Sequence, residues 1–296
     1  MTSTLWRRSR TPVRFLGRAD LTEALELCAR NPVDSVLAAA RFIELAAVRG
    51  NNLEGWGWPR NGPLQAICWA GANVVPVLAP DLPPAAARRA LAAFSAQAIQ
   101  AKNRSSSLVG ERGAVMEMWK QISSTRTARE VRDNQPSMIL DAAPHVGANP
   151  QVRASQPEDF DVVFPACVAM FTEEVGYSPL GGDGGISYAA RVRYLIAQGR
   201  SYIHTEPDED GEPEVVFKAE VGALTRQVAQ IQGVWVAPKY RGQGRSISGM
   251  AAVVELVRGA HAPLVSLYVN DFNETALRAY RKVGFRQVGS YATILF

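Results

Sequence analysis

The chain has 296 residues, 47% apolar and 20% charged, with a net charge of +4. That is the make-up of a globular protein with length for two domains of ordinary size. It excludes a disordered, collagen-like or disulfide-built chain. The charge is uneven: residues 1–150 hold 18 basic and 12 acidic residues, a net +6, and residues 151–296 hold 14 and 16, a net −2. The basic residues of the first half are scattered, without a block or interleaved aromatics. A solvated surface is expected there, and no nucleic-acid partner.

Cys28, Cys68 and Cys167 lie far apart and form no CxxC pair. This argues against a disulfide framework or a structural zinc site and for a reducing compartment, with each thiol buried and inert. His145, His204 and His261 have no metal-ligand spacing, and no metal is expected. The N-terminus "MTSTLWRRSRTPVRFLG" is basic but lacks the apolar core of a signal peptide. The most apolar stretch, residues 66–79, contains Asn73 and Pro76 and is too short to span a bilayer. A cytoplasmic location is the expectation.

In chain order, residues 19–48 read as helix broken at Pro32. Residues 62–79 read as two strands about the turn "GAN". Residues 83–102 are helical, "SSSLVG" (105–110) is a strand, and residues 113–122 form a short helix. Trp56 and Trp58 in "EGWGWPRNG" are expected to cover one end of this first sheet. The stretch 141–159, with Pro144, Pro150 and Pro157, reads as a linker. A boundary near residue 150 gives domains 1–150 and 151–296.

The second half opens with a helix over residues 160–176 and a flexible "GGDGG" at 181–185. A second helix spans residues 186–199. Strands at 200–206 and 214–224 flank the acidic turn "PDEDGEP", expected to be a solvated hairpin tip. A strand at 228–238 stops at Pro238. Helix 247–259, strand 263–269, helix 273–284 and the closing strands "FRQVG" and "YATILF" complete the chain. The order predicts an α/β fold with a mixed sheet. The first half echoes it without a glycine loop, as a degenerate internal duplication would.

The loop in question is "VAPKYRGQGRS" (236–246), where a strand runs through a Gly-bearing turn into a helix. Backbone N–H groups at a helix start are unpaired and carry the positive end of the helix dipole. Gly242 and Gly244 let that backbone approach a phosphate, and Arg241 and Arg245 add charge, so the loop reads as a diphosphate cradle. No GK[ST] follows, so it is not a Walker A loop. Ile247 stands where a dinucleotide fingerprint needs its third glycine.

"RGQGRS" resembles the Arg/Gln-x-x-Gly-x-Gly/Ala loop of the GNAT superfamily of acyl-CoA-dependent N-acetyltransferases, with Ser246 in place of the final small residue. "NETALRAYRKVGF" (273–285) is similar to the family's Asn-x-x-Ala-x-x-x-Tyr-x-x-x-Gly-Phe segment at every named position. The likeness covers about residues 155–296. It implies two GNAT-like domains, each a mixed, mostly antiparallel sheet flanked by helices, with a splayed strand pair in the C-terminal one. It also implies acetyl-CoA as cosubstrate and an amine acceptor, small molecule or protein, with a homodimer possible. By position, Val234, Trp235 and Val236 would offer backbone groups to the acetyl carbonyl and pantetheine arm. The amides of Arg241, Gly242, Gln243, Gly244, Arg245 and Ser246 would hold the pyrophosphate. Asn273 would touch the cofactor, and Tyr280 would protonate the leaving thiolate.

Many members carry a Glu on the splayed strand, but here that stretch reads Ala229-Gln230-Ile231-Gln232. Three carboxylates remain. Glu220 is buried by pattern, with a raised pKa suited to a base or else a salt bridge to Lys218. Glu173 and Glu174 close the first helix of the second half, beside the loop where the family binds its acceptor. Water is a further route for the proton. "PACVAMFTEEVG", "VVFKAEVGA" and "QIQGVWVAP" resemble a subgroup with an N-terminal domain of unknown function. Tandem members of the family keep one half degenerate, and residues 1–150 are expected to be such a half. The alternative is a non-enzymatic acyl-CoA-binding sensor or scaffold.

Overall fold

The computed structural model describes residues 11–47, 52–100 and 105–296. The first ten residues of the basic N-terminus lie outside that range. So do Val48, at the end of the first predicted helical stretch, and Ala101 and Lys102, at the end of the 83–102 helix.

The chain runs β1 (Arg14–Gly17), α1 (Leu21–Ala29), α2 (Pro32–Ala47), β2 (Asn52–Trp58), β3 (Ala66–Ala70), β4 (Asn73–Leu78), α3 (Pro84–Gln100), β5 (Ser107–Glu111), α4 (Arg112–Ile122) and β6 (Glu130–Leu140). It continues with β7 (Arg153–Ala154), α5 (Phe160–Val175), α6 (Ile186–Ala197), β8 (Ser201–Pro207), β9 (Pro213–Leu224), β10 (Val228–Val236), α7 (Arg245–Ala260), β11 (Leu264–Tyr268), α8 (Glu274–Val283) and β12 (Arg286–Leu295). From β1 to β6 and again from β7 to β12 the order is the same: strand, two helices, three strands, helix, strand, helix, strand.

Local chemistry sets the boundaries. Pro32 opens α2, where its missing N–H is no loss. Gly176 ends α5 in the left-handed region at φ 81°. The "GGDGG" stretch is an ordered turn: Asp183 accepts from the N–H of Gly185 at 3.0 Å and of Ser187 at 2.9 Å, capping α6. The hairpin tip closes on Asp208, which accepts from the N–H of Asp210 and of Glu212.

Two compact units divide the chain: residues up to Gln135 with Ser290–Phe296, and Pro136–Gly289. The irregular stretch after β6 therefore lies inside the second unit. In the first unit β1, β2, β3 and β4 pair antiparallel in sequence. β5 joins β4 in parallel, and Tyr291–Leu295 of β12 pairs antiparallel with β5. Trp56 and Trp58 share one face of β2, Trp56 buried in a core with Phe94, Leu108, Met118 and Ile294. In the second unit β7, β8, β9 and β10 pair antiparallel, β11 joins β10 in parallel, and Ser137–Leu140 of β6 pairs antiparallel with β11. Met138, Phe217, Val253, Val265 and Tyr280 pack on one face of that sheet. Val163, Cys167, Ile196 and Ile203 pack beneath α5 and α6.

Each unit thus takes its last strand from the other half of the chain. Four strands escape the sequence pattern: β1, β2, β6 and the short β7, which lies within the stretch read as a linker. The two predicted closing strands are one, because Gly289 continues in extended conformation through the expected break. Burial keeps the thiols protonated: it pushes Cys28 and Cys167 up to about 12 and raises Cys68 as well.

Candidate active site

The second unit has a parted pair of strands. β10 meets β11 only at Val228↔Leu264, Ala229↔Val265 and Gln230↔Ser266. Beyond Gln230 it stays paired with β9 alone, as far as Val236↔Phe217. Ser266 sits where the strands part, fully buried, and its hydroxyl has no partner among the described residues. Between Gln232↔Glu220 and Trp235↔Lys218 the register slips by one, so Gly233 and Val234 form a bulge. Gly233 takes φ 59°, where a side chain would be strained.

β10 leads straight into the glycine loop. A single 3-10 turn at Pro238–Tyr240 precedes it, and Gly242 and Gly244 adopt φ 77° and 74°. A Cβ on either would meet no protein atom within 4 Å, so both glycines are there for conformation and open space. Gly244 caps α7 with no side-chain cap; the Ile247 N–H donates to the Gly244 carbonyl at 3.0 Å, while the amides of Arg245 and Ser246 precede the first intrahelical bond.

The two loop arginines are held by carboxylates. Arg241 donates to the Val236 carbonyl at 3.0 Å and pairs with Glu173 at 2.6 Å, while the Trp235 indole donates to the same carboxylate at 3.2 Å. Glu173 therefore ties the end of α5 to the end of β10. Arg245 pairs with Glu206 at 2.5 Å, and Lys239 pairs with Glu214. The acidic hairpin is solvated at its tip, but Glu206 and Glu214 at its base neutralise the loop. The sequence carried no signal for those contacts. Gln243 donates to the Lys239 carbonyl.

Asn273 caps α8: its side-chain oxygen accepts from the Ala276 N–H at 3.1 Å. Tyr280, two turns into α8, is buried and packs edge-on to Phe285 at 5.9 Å. Burial, and then the charge of Glu174, raise its phenol above the ordinary tyrosine range. Tyr188 is raised as well, by burial first, then by Cys167 and Glu220, with Glu174 adding in the same sense.

Glu220 is buried as expected, but its carboxyl does not rise. Lys218 lies 2.7 Å away with no exposed surface. Desolvation pushes the carboxyl up, and the ammonium, with hydrogen bonds from Cys167 and Gln232, overcomes it and holds Glu220 below the usual range. A base poised near neutrality is not what this geometry makes.

In the first unit, β4 also leaves its parallel partner after two pairs, Asn73↔Ser107 and Val74↔Leu108. The turn that follows reads Ala79-Pro80-Asp81-Leu82-Pro83-Pro84 and opens α3. Pro83 and Pro84 remove two amide donors, and Asp81, paired with Arg30, adds a carboxylate to the turn before the helix. Among the described residues no group of His, Cys, Asp or Glu could hold a metal ion, and no helix is long and apolar enough to cross a membrane.

Residues 54–163 match a family model described only as a domain of unknown function, and residues 194–285 match that of the acetyltransferase (GNAT) family. No curated protein matches the chain. Among solved structures it is similar to an acetyltransferase of the GNAT family from Colwellia psychrerythraea, at 12% identity and TM-score 0.59, over 96% of this chain and 99% of that one. A GCN5-related N-acetyltransferase from Sphaerobacter thermophilus gives 17% and 0.60, over 95% and 93%. A tandem GNAT protein from the clavulanic acid biosynthesis pathway gives 14% and 0.51, over 96% and 98%. At these identities the likeness is one of fold, and it extends over both units. Family model, fold and the two motifs at 241–246 and 273–285 together place the second unit of this chain in the GNAT family of acetyltransferases, which draw their acyl group from acetyl-CoA.

Proposed function

We propose that the second unit transfers an acetyl group from acetyl-CoA to a primary amine. The observation that carries this reading is the continuity of one strand: β10 parts from β11, bulges at Gly233, and delivers the chain to an open helix start with two left-handed glycines. Acetyl-CoA supplies the acyl carbon, to which the amine nitrogen bonds as the C–S bond breaks.

The chain's own residues do the rest. Amides from Gly242 to Ser246 bind the diphosphate. The edge of β10 at Val234, Trp235 and Val236 orients the pantetheine arm. Asn273 fixes the start of α8 and so the depth of Tyr280. Tyr280 gives its proton to the departing sulfur. Glu174 is the acceptor-side carboxylate that holds the incoming ammonium, which gives one proton through water to bulk before the free amine attacks. The proton lost as the amide forms restores the Tyr280 hydroxyl, and Glu173 braces the wall beside it. Residues 1–150 are read as a degenerate half. Pro83, Pro84 and Asp81 supply the physical reason, since they leave no amide cradle there.

Titration of acetyl-CoA into the full chain by calorimetry tests this. One site per chain is expected. Two sites would show that the first unit binds as well, and none in folded protein would reject the cradle.

A second titration reads the loop arginine. Glu206 competes with a diphosphate for Arg245, and a half-buried pair of this kind is worth roughly 1 kcal/mol. Glu206→Gln is therefore expected to tighten CoA binding about fivefold, a gain that shrinks in high salt. Unchanged or weaker binding would mean that Arg245 does not serve the diphosphate.

A further inference from the structure

The most deeply buried charge of the second unit has no part in the chemistry above. Lys218 is fully buried on β9, and Glu220, two residues on, shares its face beneath α5. Cys167 on α5 donates to Glu220 Oε1 at 3.3 Å. Lys218 Nζ makes two contacts of note: 2.7 Å to Glu220 Oε1 and 3.0 Å to the carbonyl oxygen of Gly233. A buried ion pair is weak evidence for stability, since an apolar pair of similar volume is often as good. The second contact is what an apolar pair could not make.

Gly233 is the first residue of the bulge, and neither it nor Val234 has a register partner on β9. The peptide joining them is a rigid plane in which C=O and N–H point in opposite senses. Pinning the oxygen on the α5 side therefore aims the Val234 N–H away from that side. An ammonium on the oxygen also polarises the peptide and strengthens its N–H as a donor. The carbonyl could not be held so closely if position 233 had a side chain, because a Cβ there would come within 3.2 Å of Lys218 Nζ and 3.1 Å of Met170 Cε.

We propose that Lys218 is a positioning residue: it holds and polarises the Gly233–Val234 peptide so that the Val234 N–H is the donor to the acyl oxygen of the bound thioester. Glu220 compensates its buried charge. This rests on acetyl-CoA binding in the parted strands, and the test separates the two.

The probe is acetyl-CoA labelled with 13C at the acetyl carbonyl, bound to the full chain and to Lys218→Met/Glu220→Leu. Calorimetry gives the affinity and infrared difference spectra give the carbonyl stretch. In the unsubstituted protein the stretch is expected below its value in water. In the double variant the affinity stays within about twofold, while the band returns at least halfway to the solution value. Thioester hydrolysis, with water as acceptor, slows about tenfold at unchanged KM. This is the loss expected for a mis-aimed donor, smaller than for its removal. A band in the variant identical to that of the unsubstituted protein overturns the proposal. So does a band in the unsubstituted protein that never leaves its solution value. Should the Leu variant not fold, Lys218→Met/Glu220→Gln keeps a polar group at 220 and is read the same way. Absence of acetyl-CoA binding to the unsubstituted chain removes the underlying reading, and the role of Lys218 with it.

Discussion

Gly244→Val is expected to weaken acetyl-CoA binding about a hundredfold while leaving the fold in place. Gly244 sits at φ 74°, a conformation that costs an L-residue roughly 1–2 kcal/mol and a β-branched one more. The space around it is open, so the new side chain meets no protein atom and the strain stays local. What the valine does meet is the ligand. Its methyl groups stand in the concavity formed by the first-turn amides of α7, and relief of the strain turns those amides away. Together these effects amount to roughly 2–3 kcal/mol of lost binding, or about two decades in Kd. Calorimetry reads the affinity, and a thermal midpoint within a few degrees of the parent shows that the loss is local. An unchanged Kd would mean that the loop is an ordinary basic turn.

The second large effect falls on turnover rather than binding. Tyr280→Phe removes one hydroxyl and keeps the ring, so the edge-on contact with Phe285 and the core around it persist. Loss of a positioned acid costs about a hundredfold or more in rate. The Kd for acetyl-CoA is expected to move by less than twofold. The pH profile adds a check of sign. Burial and the neighbouring Glu174 charge both disfavour the phenolate, so the folded-state pKa lies above that of a free tyrosine. Raising the pH to 9 or 10 therefore leaves the proton on Tyr280, and no alkaline decline in rate arises from it. Release of CoA thiol, with water or a panel of amines as acceptor, measures both quantities. A Phe variant with full turnover would return Tyr280 to the core, and with it would go the assignment of α8 to the thioester end.

The residues that could be read from the sequence are those whose geometry is set locally. Gly242 and Gly244 lie in a short segment that opens a helix, and local spacing carries that information, whereas Asn273 and Tyr280 are picked out by the resemblance of 273–285 to a family motif. The pairings that define the site's charge could not be read. Arg241–Glu173 and Arg245–Glu206 join residues 68 and 39 positions apart. Only the fold brings them together, and an Arg beside a glycine looks the same whether or not a carboxylate awaits it. Glu220 shows the limit most sharply. Burial was legible from alternation along β9, and the same alternation put Lys218 on its face. Which of desolvation and ion pairing prevails depends on a 2.7 Å distance. β6 was hidden for another reason. "EVRDNQPSMIL" changes from exposed and charged to buried and apolar at Pro136, so neither half shows a full strand period, and a proline normally argues against a strand.

The exchange of last strands bears on how the protein is made. β5 is completed by Tyr291–Leu295, about 180 residues further along the chain. A ribosome adds roughly 5–20 residues per second, so about ten to forty seconds separate synthesis of β5 from synthesis of its partner. Throughout that interval the nascent first unit carries a bare sheet edge, the kind of surface on which other chains pair. The N-terminal unit is therefore the first to be synthesised but cannot be the first to finish folding. A break in the chain between Gly289 and Tyr291 would therefore strike the first unit and leave Pro136–Gly289 intact.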